Sequence, residues 1–179
     1  MLRRIVLYGV IAGLIVGVPL SGMVVAMGGQ PPMTYGMAIG YLLMLIALST
    51  VFVAIKRYRD TELGGVVRFL PAFGLGLGIS AVAGIVYVLS WETVVAMTGL
   101  DFAGQYSQML IEEQRAKGVS AEALAKFTAE MEAFKVQYAN PLFRLPMTFT
   151  EIFPVGVLVS LISAALLRNP RFLPARLAG

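Results

Sequence analysis

Three ionisable residues stand next to long apolar runs: Glu92, Arg144 and Glu151. Glu92 follows Trp91 at the end of one run, and Glu151 falls inside another. An ionisable group within a membrane span is costly, so its presence points by default to a pathway, a pocket or a partner. Two readings stay open. Glu151 sits in the headgroup zone and pairs with Arg144 or a tyrosine, or the three residues form a polar pocket for a cation, a proton or a polar headgroup. Arg144 is seven residues before Glu151. On a helix continuous through Pro146 the two share a face about two turns apart, a stretch for a direct bond. A second group, Lys56, Arg57, Arg59, Asp60 and Arg68, surrounds Gly64-Gly65. It reads as a topological anchor, or as a contact for an anionic lipid headgroup.

Other chemistry is excluded by composition. The sequence has no Cys and no His. That removes thiol nucleophiles, disulfides, haem ligation by His and the usual zinc sites. No metal site and no cofactor is expected. No phosphate loop, dinucleotide fingerprint or nucleophile elbow occurs. Gly74-Leu75-Gly76-Leu77-Gly78 has no preceding strand and no Lys, so it is not a phosphate cradle. The net charge of +4 is not clustered on a soluble face, so no nucleic-acid partner is expected. The sequence predicts no catalytic residue and no enzyme.

The elements that must position these residues follow from hydropathy. The chain is 58% hydrophobic and 13% charged, with a mean hydropathy of +0.81. A soluble domain is about half apolar and about a quarter charged, so lipid is the expected solvent. A span of the hydrocarbon core takes about 20 residues. Four stretches qualify, at about residues 5–27, 35–55, 69–97 and 147–167. In lipid all must be helices, because open strands leave backbone groups unpaired. The first apolar run, about 23 residues, exceeds the core of about 7–15 that marks a cleavable signal, so it reads as a retained span. Gly28-Gly29-Gln30-Pro31-Pro32 is a turn-forming cluster. The expected fold is all-α: an integral membrane four-helix bundle, residues 1–179 forming one membrane domain.

The long connector, 98–146, reads as two amphipathic helices outside the membrane, a hairpin over about 101–139. Gly118 ends the first, Ser120 caps the second, and Asn140-Pro141 ends it. Leu124, Phe127, Met131, Phe134 and Tyr138 make one apolar stripe. The stripe has three candidate seats: the first hairpin helix, the membrane surface, or a second subunit or membrane-protein partner. Its polar face is mixed in sign, which favours helix-on-helix packing over a lipid surface.

Basic residues orient the chain. Arg3, Arg4, Lys56, Arg57, Arg59, Arg68, Arg168, Arg171 and Arg176 fall on one side with only Asp60 and Glu62, while the long connector is slightly acidic. Both termini are therefore expected in the cytoplasm. Small residues recur every fourth position: Gly9, Gly13 and Gly17; Gly36 and Gly40; Gly74 and Gly78; Gly76, Ser80 and Gly84; Gly156, Ser160 and Ala164. Such stripes let helix backbones approach closely. They serve packing within one bundle, or, for the first helix, an interface between copies. Pro19 removes one backbone bond and is expected to kink that helix.

Tyr58-Arg59-Asp60-x-x-x-Gly64-Gly65, a Gly-rich third helix ending in Tyr87 and Trp91, and Glu151-Ile152-Phe153-Pro154-Val155-Gly156 together resemble a bacterial family, domain of unknown function 4199. The resemblance covers nearly the whole chain. It implies a small multi-span protein of the bacterial inner membrane and supplies no activity, substrate or catalytic residue. Three functions are weighed: a non-catalytic accessory, scaffold or assembly component; an oligomeric cation or proton transporter using the glutamates; and, disfavoured by the lack of His, Cys or a recognisable nucleophile, a lipid-modifying or lipid-binding enzyme with the outer-edge acids as general acid or base.

Overall fold

A computed structural model describes residues 1–27 and 36–175. It contains six helices and, among the described residues, no strand: α1 (Leu2–Ala26), α2 (Gly36–Glu62), α3 (Phe69–Thr98), α4 (Phe102–Ala116), α5 (Ala121–Tyr138) and α6 (Pro141–Leu167). The turn cluster at 28–32 and Arg176 lie outside the described residues. Helices α1, α2, α3 and α6 are each long and apolar enough to cross a membrane. Their outward faces carry Leu7, Leu14, Leu42, Ile85, Leu158 and Ile162, all exposed. Water would penalise such a surface heavily and hydrocarbon would not. This is the architecture of a multi-pass membrane protein.

Helix α3 is the central element, packed on α1 and on α6, while α2 packs on α1 and α6. The small residues explain the closeness. A Cβ added at Gly9 would lie 2.5 Å from Val82 Cβ, and one at Gly13 equally near Val86 Cβ. One at Gly17 would meet the Ser90 hydroxyl at 2.6 Å. Contacts that advance together along both chains make α1 and α3 parallel. On α6 the order reverses: Gly76 meets Ser160, Gly156 meets Ser80 and Gly84 meets Phe149. Helices α3 and α6 are thus antiparallel. The Gly9–Gly13–Gly17 stripe is consumed inside the molecule, so it is not an interface between copies. Gly78 packs on Ile5, but Gly74, expected in the same stripe, faces open space and packs nothing. A Cβ at Gly40 also meets nothing among the described residues.

Local chemistry sets the helix ends. Gly99, at φ 63°, closes α3 in the left-handed conformation that favours glycine. Asp101 caps α4 by accepting from the Gly104 amide at 2.9 Å. Ser120 caps α5 by accepting from the Ala123 amide at 3.2 Å. Asn140 caps α6 by accepting from the Leu142 amide, with Pro141 at the first helical position.

Two boundaries differ from expectation. Helix α6 begins at Pro141, six residues before the expected 147, and runs through Pro146 and Pro154. Its first turns carry Arg144 between Pro141 and Pro146, and a charge flanked by prolines does not read as part of an apolar helical run. Helix α2 runs to Glu62, so Lys56, Arg57, Arg59 and Asp60 are helical and not loop residues. Helix α1 continues through Pro19 from Leu2 to Ala26.

Candidate functional site

Where α3 stops, Trp91, Glu92, Tyr138 and Arg144 form a connected set. Arg144, in the first turns of α6, donates from Nε and Nη2 to the two oxygens of Glu92, each at 2.6 Å. This bidentate pair is sheltered, with side-chain exposures of 12% and 23%. The third nitrogen, Nη1, donates to the Tyr138 carbonyl at 3.2 Å. The guanidinium also lies 5.7 Å from the centre of the Tyr138 ring. The Tyr138 hydroxyl accepts from the Trp91 indole Nε1 at 2.8 Å. One side chain on α6 and one on α3 thereby grip the last residue of α5.

Aromatic packing reinforces the grip. Phe102 sets its edge on Trp91 at 5.0 Å, Phe102 stacks on Tyr106, and Tyr106 meets Phe134 at 6.5 Å. The α5 stripe thus faces α4: Leu124, Phe127, Met131 and Phe134 are half-buried and Tyr138 is buried. Burial pushes the Tyr138 phenol up to about 12, so it is neutral at ordinary pH.

Glu151 stands apart from Glu92 and Arg144. Its Oε2 accepts from the Tyr87 hydroxyl at 2.9 Å, and no basic residue pairs with it among the described residues. Tyr87 is buried, while Glu151 is on an exposed face of α6. The expected three-residue cluster therefore divides into a closed ion pair and a tyrosine-bound glutamate. Tyr87, Trp91 and Tyr138 are the residues that sequence reasoning did not assign to this site.

The opposite end holds the second expected group, and here one member is corrected. Arg59 is fully buried. Its Nη1 donates to the Phe172 carbonyl at 2.9 Å and to that of Leu167 at 3.4 Å, and its Nη2 donates to Leu173. Its Nε donates to Asp60 at 2.7 Å, and Asp60 also accepts from Lys56. A buried guanidinium with every nitrogen engaged cannot meet a headgroup. Arg59 is a clamp on the chain after α6, assisted by Phe172 set edge-on against Phe52. Leu173 takes φ 47°, a conformation that a side chain rarely adopts, at this clamp. Arg57 and Arg68 remain exposed. Gly64 and Gly65, at φ 62° and 89°, turn the chain between α2 and α3.

Comparison with known proteins bears on this arrangement. The model of a family described as protein of unknown function (DUF4199) matches residues 7–169. The chain belongs to that family. The match runs from α1 through the end of α6, so it covers all four long helices. The DUF4199 residues that carry the resemblance are structural here: Arg59 clamps, Gly64 and Gly65 turn, Tyr87 holds Glu151 and Trp91 holds Tyr138. No curated protein and no solved structure matches the chain. Among the described residues no group of three or more metal-ligating side chains converges.

Proposed function

We propose that this DUF4199 chain is a non-catalytic accessory, scaffold or assembly component of a bacterial inner membrane. In this reading α1, α2, α3 and α6 form one membrane bundle with both termini in the cytoplasm. The α4–α5 pair stands as a hairpin on the other side and is offered to a membrane-protein partner or a second copy. The supporting observation is the grip on Tyr138. Trp91 and Arg144, from two different spanning helices, hold the end of α5. A hairpin fixed to its bundle presents a constant surface, and preorganisation lowers the cost of association. A free flap would need neither tie.

The Cys-free sequence makes the test clean. Single cysteines replace Met131 on the stripe and exposed Glu130 beside it, and a short crosslinker is applied in membranes at native expression. One discrete adduct is expected, identified by mass as a second copy or one membrane protein. Monomer alone at both positions refutes the reading.

A second reading rests on Glu151. An acid inside a spanning helix, exposed and without a basic partner among the described residues, suits a cation or proton step between subunits of an oligomer. Glu92 is already neutralised by Arg144 and contributes nothing to such a step. Ion flux into liposomes that vanishes in Glu151→Gln would favour it over the scaffold, and a well-folded oligomer without flux would dispose of it.

A further inference from the structure

We propose that the cleft between the start of α1 and the end of α2 binds a phosphate-bearing anion, either a lipid headgroup or a soluble phosphate ester. The cleft has a volume of about 690 Å³, within the range of about 300–1,000 Å³ usual for small-molecule sites. It is a built feature. Arg4 donates to Glu62 and, at 3.1 Å, to the Thr61 hydroxyl, which fixes α1 against the last turn of α2. Across the cleft Arg57 reaches the Tyr8 hydroxyl at 3.3 Å. These ties run between helices of opposite direction and hold the walls apart at a set width.

The charge of the lining decides the ligand class. Arg3, Arg4 and Arg57 face the cleft with Glu62 as the acid, so three positive charges less one negative leave +2. Glu62 is spent on Arg4. Arg3 and Arg57 are exposed and have no carboxylate partner among the described residues. Two guanidinium forks can each meet a phosphate with paired hydrogen bonds, whereas a lone carboxylate would engage only one. Tyr8 holds Arg57 in place before any ligand arrives, which reduces the ordering cost.

The apolar wall adds a second requirement. Leu7 lines the cleft and is 53% exposed on the outward face of α1. In a bilayer that face meets acyl chains. The cleft therefore opens where the polar and apolar parts of a phospholipid meet. A soluble phosphate ester satisfies the arginines alone.

The site is not the basic loop expected from sequence. Of that set only Arg57 takes part: Arg59, Asp60 and Lys56 are engaged with one another or with the chain after α6, and Arg68 does not line the cleft. The partner of Arg57 on α1, Tyr8, is 49 residues away in sequence and meets it only through helix packing. The inference is independent of the scaffold reading.

The test uses the full chain purified in a neutral detergent and observed by native mass spectrometry. It is titrated in separate arms with phosphatidylglycerol, phosphatidylcholine and glycerol 3-phosphate. One retained phosphatidylglycerol is expected, with binding about tenfold weaker in the Arg3→Gln/Arg57→Gln double variant, a loss of about 1.4 kcal/mol. The control Arg168→Gln/Arg171→Gln removes two exposed arginines of the same end that do not line the cleft, and should bind as the parent does. Arg57→Lys keeps the charge but not the fork, and should fall between. Should the double variant fail to fold, Arg3→Gln alone, whose side chain is exposed and makes no hydrogen bond among the described residues, carries the same expectation in smaller degree. Binding of glycerol 3-phosphate but not the lipid, with the same variant dependence, assigns the cleft to a soluble ester. Equal loss in the control pair, equal retention of phosphatidylcholine, or no adduct in any arm overturns the proposal.

Discussion

The Glu92–Arg144 pair shows what a single contact is worth in this molecule. Both groups are mostly sheltered, and Arg144 has a further acceptor in the Tyr138 carbonyl. Removing one partner leaves the other charged and half-buried, which in water-soluble cores costs about 3–5 kcal/mol. With the partial exposure here about 1–3 kcal/mol is expected. Glu92→Gln should therefore lower the melting temperature in detergent clearly. Arg144→Gln should do so similarly, and the double variant should cost less than the sum of the two. Additive losses would mean that the two side chains do not act as a pair. Tyr138 makes a pH-dependent prediction. Its pKa is raised from the free phenol value of about 10 to about 12 by burial. The neutral form is the one stabilised, so the contribution is complete below about pH 10 and is lost as pH rises to about 12. Tyr138→Phe should flatten that alkaline loss, and a melting curve unchanged in shape between parent and variant would argue against a buried phenol. The sequence made the ionisable members of this site visible, because charges next to apolar runs are conspicuous. It could not divide them. Whether Glu151 pairs with Arg144 or with Tyr87 depends on helix phase and on where α6 begins, and Pro146 obscured both.

Helices α1 and α3 show how elements are chosen by what is absent from their surfaces. Gly9, Gly13 and Gly17 place bare backbone where Val82, Val86 and Ser90 stand on α3. Lipid supplies no apolar drive for association, so this close dispersion contact has to hold the pair. Gly13→Leu cannot be accommodated, since even its Cβ would lie 2.5 Å from that of Val86 and 2.8 Å from the Ala83 carbonyl. Loss of monodisperse protein on size exclusion is expected. Gly74→Leu, on an open face, should behave as the parent does. Equal tolerance at both positions would show that α1 does not pack on α3 through this stripe. The element pattern was largely legible: four apolar runs and a 3.6-residue periodicity in the connector gave the helices their places. The ends were not. Charged residues at 56–62 read as loop although an amphipathic helix end carries charge without strain, and residues 141–146 read as connector although Asn140 and Pro141 are a helix start. The buried role of Arg59 was invisible for a related reason. It sits among three other basic residues, and only the chain after α6, folding back on α2, distinguishes it.

For the molecule as a whole, the helix directions and the charges agree. The α1 start, the α2 end and the α6 end meet at one pole, tied by Arg4–Glu62 and by Arg59 to the Leu167 carbonyl. The exposed basic residues Arg3, Arg57, Arg68, Arg168 and Arg171 gather there. The other pole carries the closed Glu92–Arg144 pair and the α4–α5 helices, whose charges are mixed in sign. Translocating basic residues is disfavoured, so the first pole is the one proposed to face the cytoplasm. With no native Cys, single cysteines report each pole separately. A membrane-impermeant maleimide applied to intact cells stripped of their outer membrane should label Lys126→Cys on α5 at once, and Arg171→Cys only after the membrane is opened. Labelling in the reverse order would invert the protein. It would then place the arginine-lined cleft outside, where the scaffold hairpin was expected, and move α4–α5 into the cytoplasm. Labelling of both positions before opening is incompatible with α6 crossing the bilayer at all, because these two sites are separated by that one helix.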